Sequence, residues 1–376
     1  MKKKLTVAVL IFLVLVLTPT FGVFFMKSLG KSPNKVAREN YLTRASNFDG
    51  KKFHNEDDFE MEVTKEKIDP NWVSTKKSKP VDKIPVVPFD LKSVKKEAKD
   101  KVLVTWLGHS SVFMQMNGQN LLFDPIFSKM ISPVSFVGAK RFADLPFDEN
   151  YKDEFPEIDI LFLSHDHYDH LDYKTIKNLD SKIKRYVVPL GVESHLKYWG
   201  VSQEKITNYA WWEENTFDGL KITSVPAQHF SGRKLIDSNK TLWCGWVLQD
   251  EFHKIFVSGD SGYNTHFSRI GEKFGGFDFA FMECGQYGMG WKKIHSFPEE
   301  SAQAILDLKA ASVMPMHWGA VDLSYNGWDD SIERFIKAIN PSIPYATPLI
   351  GQTFDIDILK TDSISEVQKQ WWKEIQ

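Results

Sequence analysis

Cysteine is nearly absent. Cys244 and Cys284 are the two in 376 residues, which excludes a disulfide-stapled scaffold and a zinc site built from cysteines. An excess of one charge is missing as well. Lys and Arg number 47 against 49 Asp and Glu, a formal net charge of −2. A dedicated nucleic-acid binder usually carries a strong basic excess, so no nucleic-acid partner is expected. Internal repeats and low-complexity tracts are lacking, and long apolar runs are lacking with one exception. These absences exclude a collagen, a disordered chain and a polytopic membrane protein. What remains is ordinary globular composition, 42% hydrophobic and 26% charged, long enough for one large domain or two. Aromatic residues reach 14%, with 28 Phe and 12 Trp, which suits a Phe-rich core or an apolar pocket.

The exception is at the start. Lys2, Lys3 and Lys4 precede 22 uncharged residues, 5–26. As a helix they would reach roughly 33 Å, enough for a bilayer core of about 30 Å. The run exceeds a usual signal-peptide core and Ser28-Leu29-Gly30 is a weak cleavage site, so residues 1–26 are read as a retained membrane anchor. The signal-like start favours a catalytic domain outside the cytoplasm. Residues 27–100 are polar and dotted with proline. Phe53, Phe59, Trp72, Val86, Val87 and Phe89 would pack this lead-in partly onto the domain that follows, residues 101–376.

In that domain, short apolar runs at 102–104, 112–116, 121–123, 158–163, 186–188, 222–225, 255–257, 277–282 and 311–314 read as strands, with helical stretches between several of them. Asn117-Gly118 marks a hairpin, and Pro298-Glu299-Glu300 opens a helix. Strands punctuated by helices predict an α/β layered domain. The run 158–163 ends in Ser164-His165-Asp166-His167-Tyr168-Asp169-His170. So dense a set of metal-ligand types just after a buried strand is poorly explained as a solvated loop. Other runs end in the same way, at His229, Asp260 and His317, and sites in layered α/β folds gather at strand ends. Imidazole nitrogens and carboxylate oxygens without thiolates suit Zn²⁺ in an open catalytic site; iron and manganese accept the same donors. Seven such groups exceed the needs of one tetrahedral ion, and a bridging carboxylate would let them hold two.

His165-x-His167-x-Asp169-His170 with His229, Asp260 and His317 resembles the metallo-β-lactamase fold superfamily. Within it the chain resembles the N-acylphosphatidylethanolamine-hydrolysing phospholipase D family, across roughly residues 102–353. Thr105-Trp106-Leu107-Gly108-His109, Asp124-Pro125-Ile126-Phe127-Ser128, Trp211-Trp212-Glu213-Glu214-Asn215 and Gly259-Asp260-Ser261-Gly262-Tyr263 carry that likeness. Departures fall at Met289 and Gly290 before Trp291, and at Phe230 after His229. The resemblance implies an αβ/βα sandwich of two facing mixed sheets with helices outside. It implies two zinc ions per chain, one on His165, His167 and His229, the other on Asp169, His170 and His317, with Asp260 bridging. A water activated by both would cleave a phosphodiester, with Asp169 orienting it and Tyr168, Tyr263 or a neighbouring histidine assisting the leaving oxygen. His295, Tyr287, Trp291 and His109 would meet substrate. Trp199, Trp211, Trp212, Trp291 and Phe230 offer an acyl groove, with core packing the alternative favoured for any one of them. The implied partners are a phospholipid, the membrane and a second copy in a homodimer. A lactonase, a hydrolase of soluble phosphodiesters and a non-enzymatic zinc-binding surface protein fit the same donors.

Overall fold

The computed structural model describes residues 26–57 and 78–375. Of the expected anchor, only Met26 lies within them, and Phe59 and Trp72 also fall outside. Among the described residues, no helix is long and apolar enough to cross a membrane.

The strands are, in chain order, β1 (Leu103–Trp106), β2 (Val112–Met116), β3 (Gln119–Phe123), β4 (Met130–Ile131), β5 (Ala139–Lys140), β6 (Ile158–Phe162), β7 (Ile183–Pro189) and β8 (Ile206–Tyr209). They continue as β9 (Glu214–Phe217), β10 (Leu220–Val225), β11 (Gly245–Gln249), β12 (Lys254–Val257), β13 (Phe279–Glu283), β14 (Val313–Met316) and β15 (Thr353–Asp355). One mixed sheet has the order β15-β1-β2-β3-β6-β7-β8, the other β14-β13-β12-β11-β10-β9, and β4 and β5 form a small ribbon. In both large sheets the pairing changes from antiparallel to parallel, at β3–β6 and at β12–β13.

The turn between β2 and β3 follows from sequence. Asn117 and Gly118 have φ of 53° and 68°, the two left-handed residues of a type I′ hairpin. All five residues of β2 are buried. Val112, Met114 and Met116 join the core between the sheets, while Phe113 joins the core under the outer helices. Both faces of this sheet are covered, so its strands read as continuous apolar runs. In β6 likewise, Ile160 and Phe162 face the second sheet while Ile158 and Leu161 face the helices. The sheets meet through aromatic contacts: Phe162 lies edge-on to Trp246 at 5.7 Å and Phe123 stacks on Phe281 at 6.5 Å.

The lead-in is part of the packed body from Lys27 to Asp57. Asn34 caps helix Lys35–Arg44 by accepting a bond from Ala37 N at 2.9 Å. Tyr41, Phe48 and Phe53 from this segment are buried against Leu190, Ala210 and Trp243. Arg44 holds Glu213 with two parallel bonds of 3.0 and 2.6 Å. Val86 bridges to Ile350, and Phe89 packs on Phe113 at 5.7 Å.

Candidate metal centre

The ligand loop is made at the carboxyl end of β6. β6 ends at Phe162, Leu163 N still bonds to Val187 O at 3.0 Å, and the chain then turns through residues 164–170. His170 N and Leu171 N bond back to His167 O, which curls the loop and turns several side chains to one side. His229 follows β10, Asp260 follows β12 and His317 follows β14, so the strand ends of both sheets meet here.

Two donor groups result. In the first, His165 Nε2 and His229 Nε2 lie 2.9 and 3.2 Å from His167 Nδ1. The second gathers His109, Asp169, His170 and His317. Asp260 lies between. Its Oδ2 is 3.8 Å from His165 Nε2 and from His229 Nε2, and its Oδ1 is 3.1 Å from His170 Nε2 and 3.4 Å from His317 Nδ1. The seven residues expected from sequence are thus brought together, with one carboxylate turned toward both groups.

The remaining ring nitrogens are held from behind. His165 Nδ1 contacts Ser164 Oγ at 2.9 Å, His170 Nδ1 meets Asp124 Oδ2 at 2.8 Å, and His229 Nδ1 donates to Ile294 O at 2.8 Å. His317 Nδ1, the atom that faces Asp260 Oδ1, also meets Ser110 Oγ at 2.8 Å. Such partners fix ring orientation and tautomer and leave Nε2 free as a donor. His170 Nε2, His317 Nε2 and Asp260 Oδ1 are buried without hydrogen bonds. Orphaned polar atoms in a core are costly, and a shared cation would satisfy these. The donor set therefore fits divalent metal.

Electrostatics agree. Burial first, then the like charge of neighbouring rings, holds His165 and His229 well below the ordinary imidazole range, and burial brings His167 down to about 4. At His170 burial acts the same way, but Asp260, Asp169 and Asp124 outweigh it and push the ring well above its ordinary value. Burial, against the pull of His170 and with Glu283 nearby, raises Asp260 to about 7. Burial also opposes the charge of Asp169, yet His170, His109 and His317 hold this carboxyl well below its usual range. Asp124, His109 and His317 have φ of 38°, 56° and 71°. Non-glycine residues in this region carry strain, which clusters at functional sites.

The outer residues separate. His109 is fully buried and its Nε2 contacts Asp169 Oδ2 at 3.1 Å, so it belongs with the ligand groups. His295 stands beside them, its ring 5.0 Å from His229 and its Nδ1 on the buried carboxylate of Glu283. Tyr287 is different: its hydroxyl is committed to Asp330 and to Arg334, the latter at 2.9 Å. Trp291 packs near Tyr325, with its Nε1 donating to Gln286 O. Of the five aromatics considered for a groove, Phe230 lies against the ligands, 4.3 Å from His167. Trp199 donates to Lys27 O, Trp211 to Trp243 O, and Trp212 faces Lys273; Trp199 is buried, and Trp211 and Trp212 are partly exposed. Tyr168 and Tyr263 spend their hydroxyls on Arg233 O and Asp307. Sequence reasoning passed over Glu283 and the supporting role of Asp124. Each sits at a strand's carboxyl end, the rule that had pointed to His229 and Asp260.

Comparison with known proteins agrees with this geometry. The model of the β-lactamase superfamily domain matches residues 119–318, more than half of the 376. An uncharacterized protein of Mycobacterium tuberculosis is 36% identical over 278 residues, 72% of this chain and 74% of its own. The N-acyl-phosphatidylethanolamine-hydrolyzing phospholipase D 1 of Caenorhabditis elegans is 36% identical over 231 residues, 58% of this chain and 64% of its own. Among solved structures, an isothiocyanate hydrolase from Delia radicum gut bacteria superposes with a TM-score of 0.53 at 18% identity, over 67% of this chain and 98% of that one. That likeness concerns the fold. The strand-end histidines and carboxylates, the two facing mixed sheets and the domain match converge: this chain belongs to the β-lactamase superfamily and is a metal-dependent hydrolase of the metallo-β-lactamase fold.

Proposed function

We propose that this chain is a dinuclear zinc phosphodiesterase of phospholipase D type, acting on N-acylphosphatidylethanolamine-like lipids. The observation that carries the dinuclear reading is Asp260, whose two oxygens address two separate donor groups. His165, His167 and His229 would hold one ion, and Asp169, His170 and His317 the other. Bound there, the ions would supply an activated water near neutral pH and neutralise charge on a phosphoryl oxygen. The chain's own residues do the positioning. Asp169, fixed by His109, is the carboxylate placed to orient that water. His295, held by Glu283, stands beside both ligand groups and is the candidate to give a proton to the leaving alcohol oxygen. It takes over a role that the hydroxyls of Tyr168 and Tyr263 are too committed to fill. Water adds to phosphorus and the bond to the ethanolamine oxygen breaks, giving phosphatidate and N-acylethanolamine.

The lipid substrate is supported by the worm relative's activity and by the apolar run 5–26, which would tether the domain beside its bilayer outside the cytoplasm. The test is lipid mass spectrometry on full-length protein with bound metal counted. Mixed micelles would contain N-acylphosphatidylethanolamine, with a chelated sample and His167→Ala as controls. Metal-dependent release of both products is expected. Two bound zinc ions without lipid turnover would refute the substrate and direct the search to lactones and soluble phosphodiesters.

A further inference from the structure

Two loops expose large apolar side chains without evident structural need. Phe136 and Val137 are 78% and 60% exposed, and Leu235 and Ile236 are 97% and 71% exposed. Far apart in sequence, the loops are tied to the same short piece of chain. Ser28 Oγ donates to Pro133 O at 2.6 Å, three residues before Phe136. Arg233 donates to Ser28 O at 2.7 Å and Lys234 to Gly30 O at 3.0 Å, immediately before Leu235. Both apolar tips therefore flank residues 28–30, where the chain emerges from the uncharged run 5–26. The exposed Lys27 and Lys31 bracket the same place.

The patch is also coupled to the metal centre. Arg233 is buried and its Nη1 donates to Asp166 O and Leu171 O, which bound the ligand loop. Tyr168, between His167 and Asp169, donates to Arg233 O at 2.7 Å and lies under the guanidinium at 4.0 Å. Around that loop His167, Tyr168, Asp169 and Phe230 are partly exposed. The opening of the site and the apolar tips thus lie at the same end of the molecule.

We propose that Phe136, Val137, Leu235 and Ile236 form an interfacial surface that inserts into a lipid bilayer, turning the opening of the metal site toward it. Three features select a bilayer as occupant: apolar tips on loops, exposed lysines suited to anionic headgroups, and a run long enough to span ending between the tips. The inference does not depend on which ester the site cuts.

The test uses full-length protein in mixed phosphatidylcholine and phosphatidylglycerol vesicles. Leu235→Cys, Phe136→Cys and Phe252→Cys would each carry an environment-sensitive fluorophore; Cys244 and Cys284 are buried and stay unlabelled. Phe252 is exposed in the turn entering β12, at the end opposite Asp260, and serves as control. Probes at 235 and 136 should shift to the blue and be quenched by spin-labelled lipid several-fold more than the probe at 252. Equal quenching at all three positions, or water-like emission at 235 and 136, would overturn the proposal. A blue shift without lipid quenching would also overturn it, because a second copy or the chain's own leader would then cover the patch.

Discussion

Replacing Asp124 with asparagine tests whether the metal centre is built from behind. The wild-type carboxylate accepts from Ser164 N at 2.8 Å and Ser164 Oγ at 2.6 Å, and meets His170 Nδ1 at 2.8 Å. If the oxygen of the introduced amide keeps the backbone bond, its nitrogen faces Ser164 Oγ and His170 Nδ1. The serine hydroxyl can rotate and accept. His170 cannot donate to an N–H, so its proton moves to Nε2, the atom that faces Asp260 Oδ1 at 3.1 Å. The bond lost is one to a charged acceptor, about 1.5–3 kcal/mol. That corresponds to roughly 10–150-fold in metal affinity, close to the roughly 10–100-fold typical when partners behind metal ligands are removed. On the proposed two-ion reading, the loss should fall on the ion held with Asp169 and His317. An ion on His165, His167 and His229 should be affected less, since Asp124 reaches that group only through Ser164 Oγ, which also meets His165 Nδ1. Competition against a chelating zinc indicator resolves the two affinities, and chelated samples give metal-free stability separately. If both affinities stayed unchanged in a folded Asp124→Asn protein, the assignment of His170 as a ligand held by Asp124 would be wrong.

Three further outcomes follow from the same structure. Phe53, fully buried between Phe48 at 4.6 Å and Tyr41 at 5.8 Å, anchors the lead-in; Phe53→Ala should cost about 3–5 kcal/mol in urea unfolding, and a change under about 1 kcal/mol would mean residues 27–57 are not part of the cooperative unit. At Gly285 a Cβ would lie 1.9 Å from His317 O, so Gly285→Ala should displace His317 and lower zinc affinity in the indicator assay, whereas Gly290→Ala, in open space, should not. Burial, with Arg269 nearby, brings His266 down to about 3, so it is neutral in the fold while the unfolded chain takes up a proton near 6.5. Its contribution is therefore complete above about pH 6.5 and falls as pH drops toward 3; denaturant midpoints of chelated protein between pH 7 and 4 should decline less steeply for His266→Gln, and an identical slope would refute its neutral burial.

The ligand loop could be read directly because its donors crowd within six residues after an apolar strand, and the β2–β3 hairpin because Asn117-Gly118 has few other conformations open to it. Other strands were missed. β9, Glu214–Phe217, is an exposed strand of polar residues; its one local signal is the Asp218-Gly219 turn, with φ of 50° and 87°, which joins it to β10 and went unread. β15 pairs with β1 across some 250 residues, Val104 opposite Phe354. The β1–β15 pairing has no local periodicity to betray it, because a partner remote in sequence supplies the hydrogen bonds. The choice between groove and core for the aromatic residues was open in the sequence for a related reason. A tryptophan's sequence neighbours do not say whether its ring meets substrate or another loop, and Trp199 and Trp211 were claimed by Lys27 O and Trp243 O.

By itself, then, the sequence determined the chemistry: donor types without thiolates, their positions at strand ends, and the apolar run ahead of them. Tertiary structure alone decided the arrangement. It turned the two oxygens of Asp260 toward different histidine groups, placed Asp124 and Glu283 behind His170 and His295, and brought loops a hundred residues apart around Ser28. Residue type is a local property of the chain. The direction in which a lone pair points is set by packing and hydrogen bonds from segments remote in sequence.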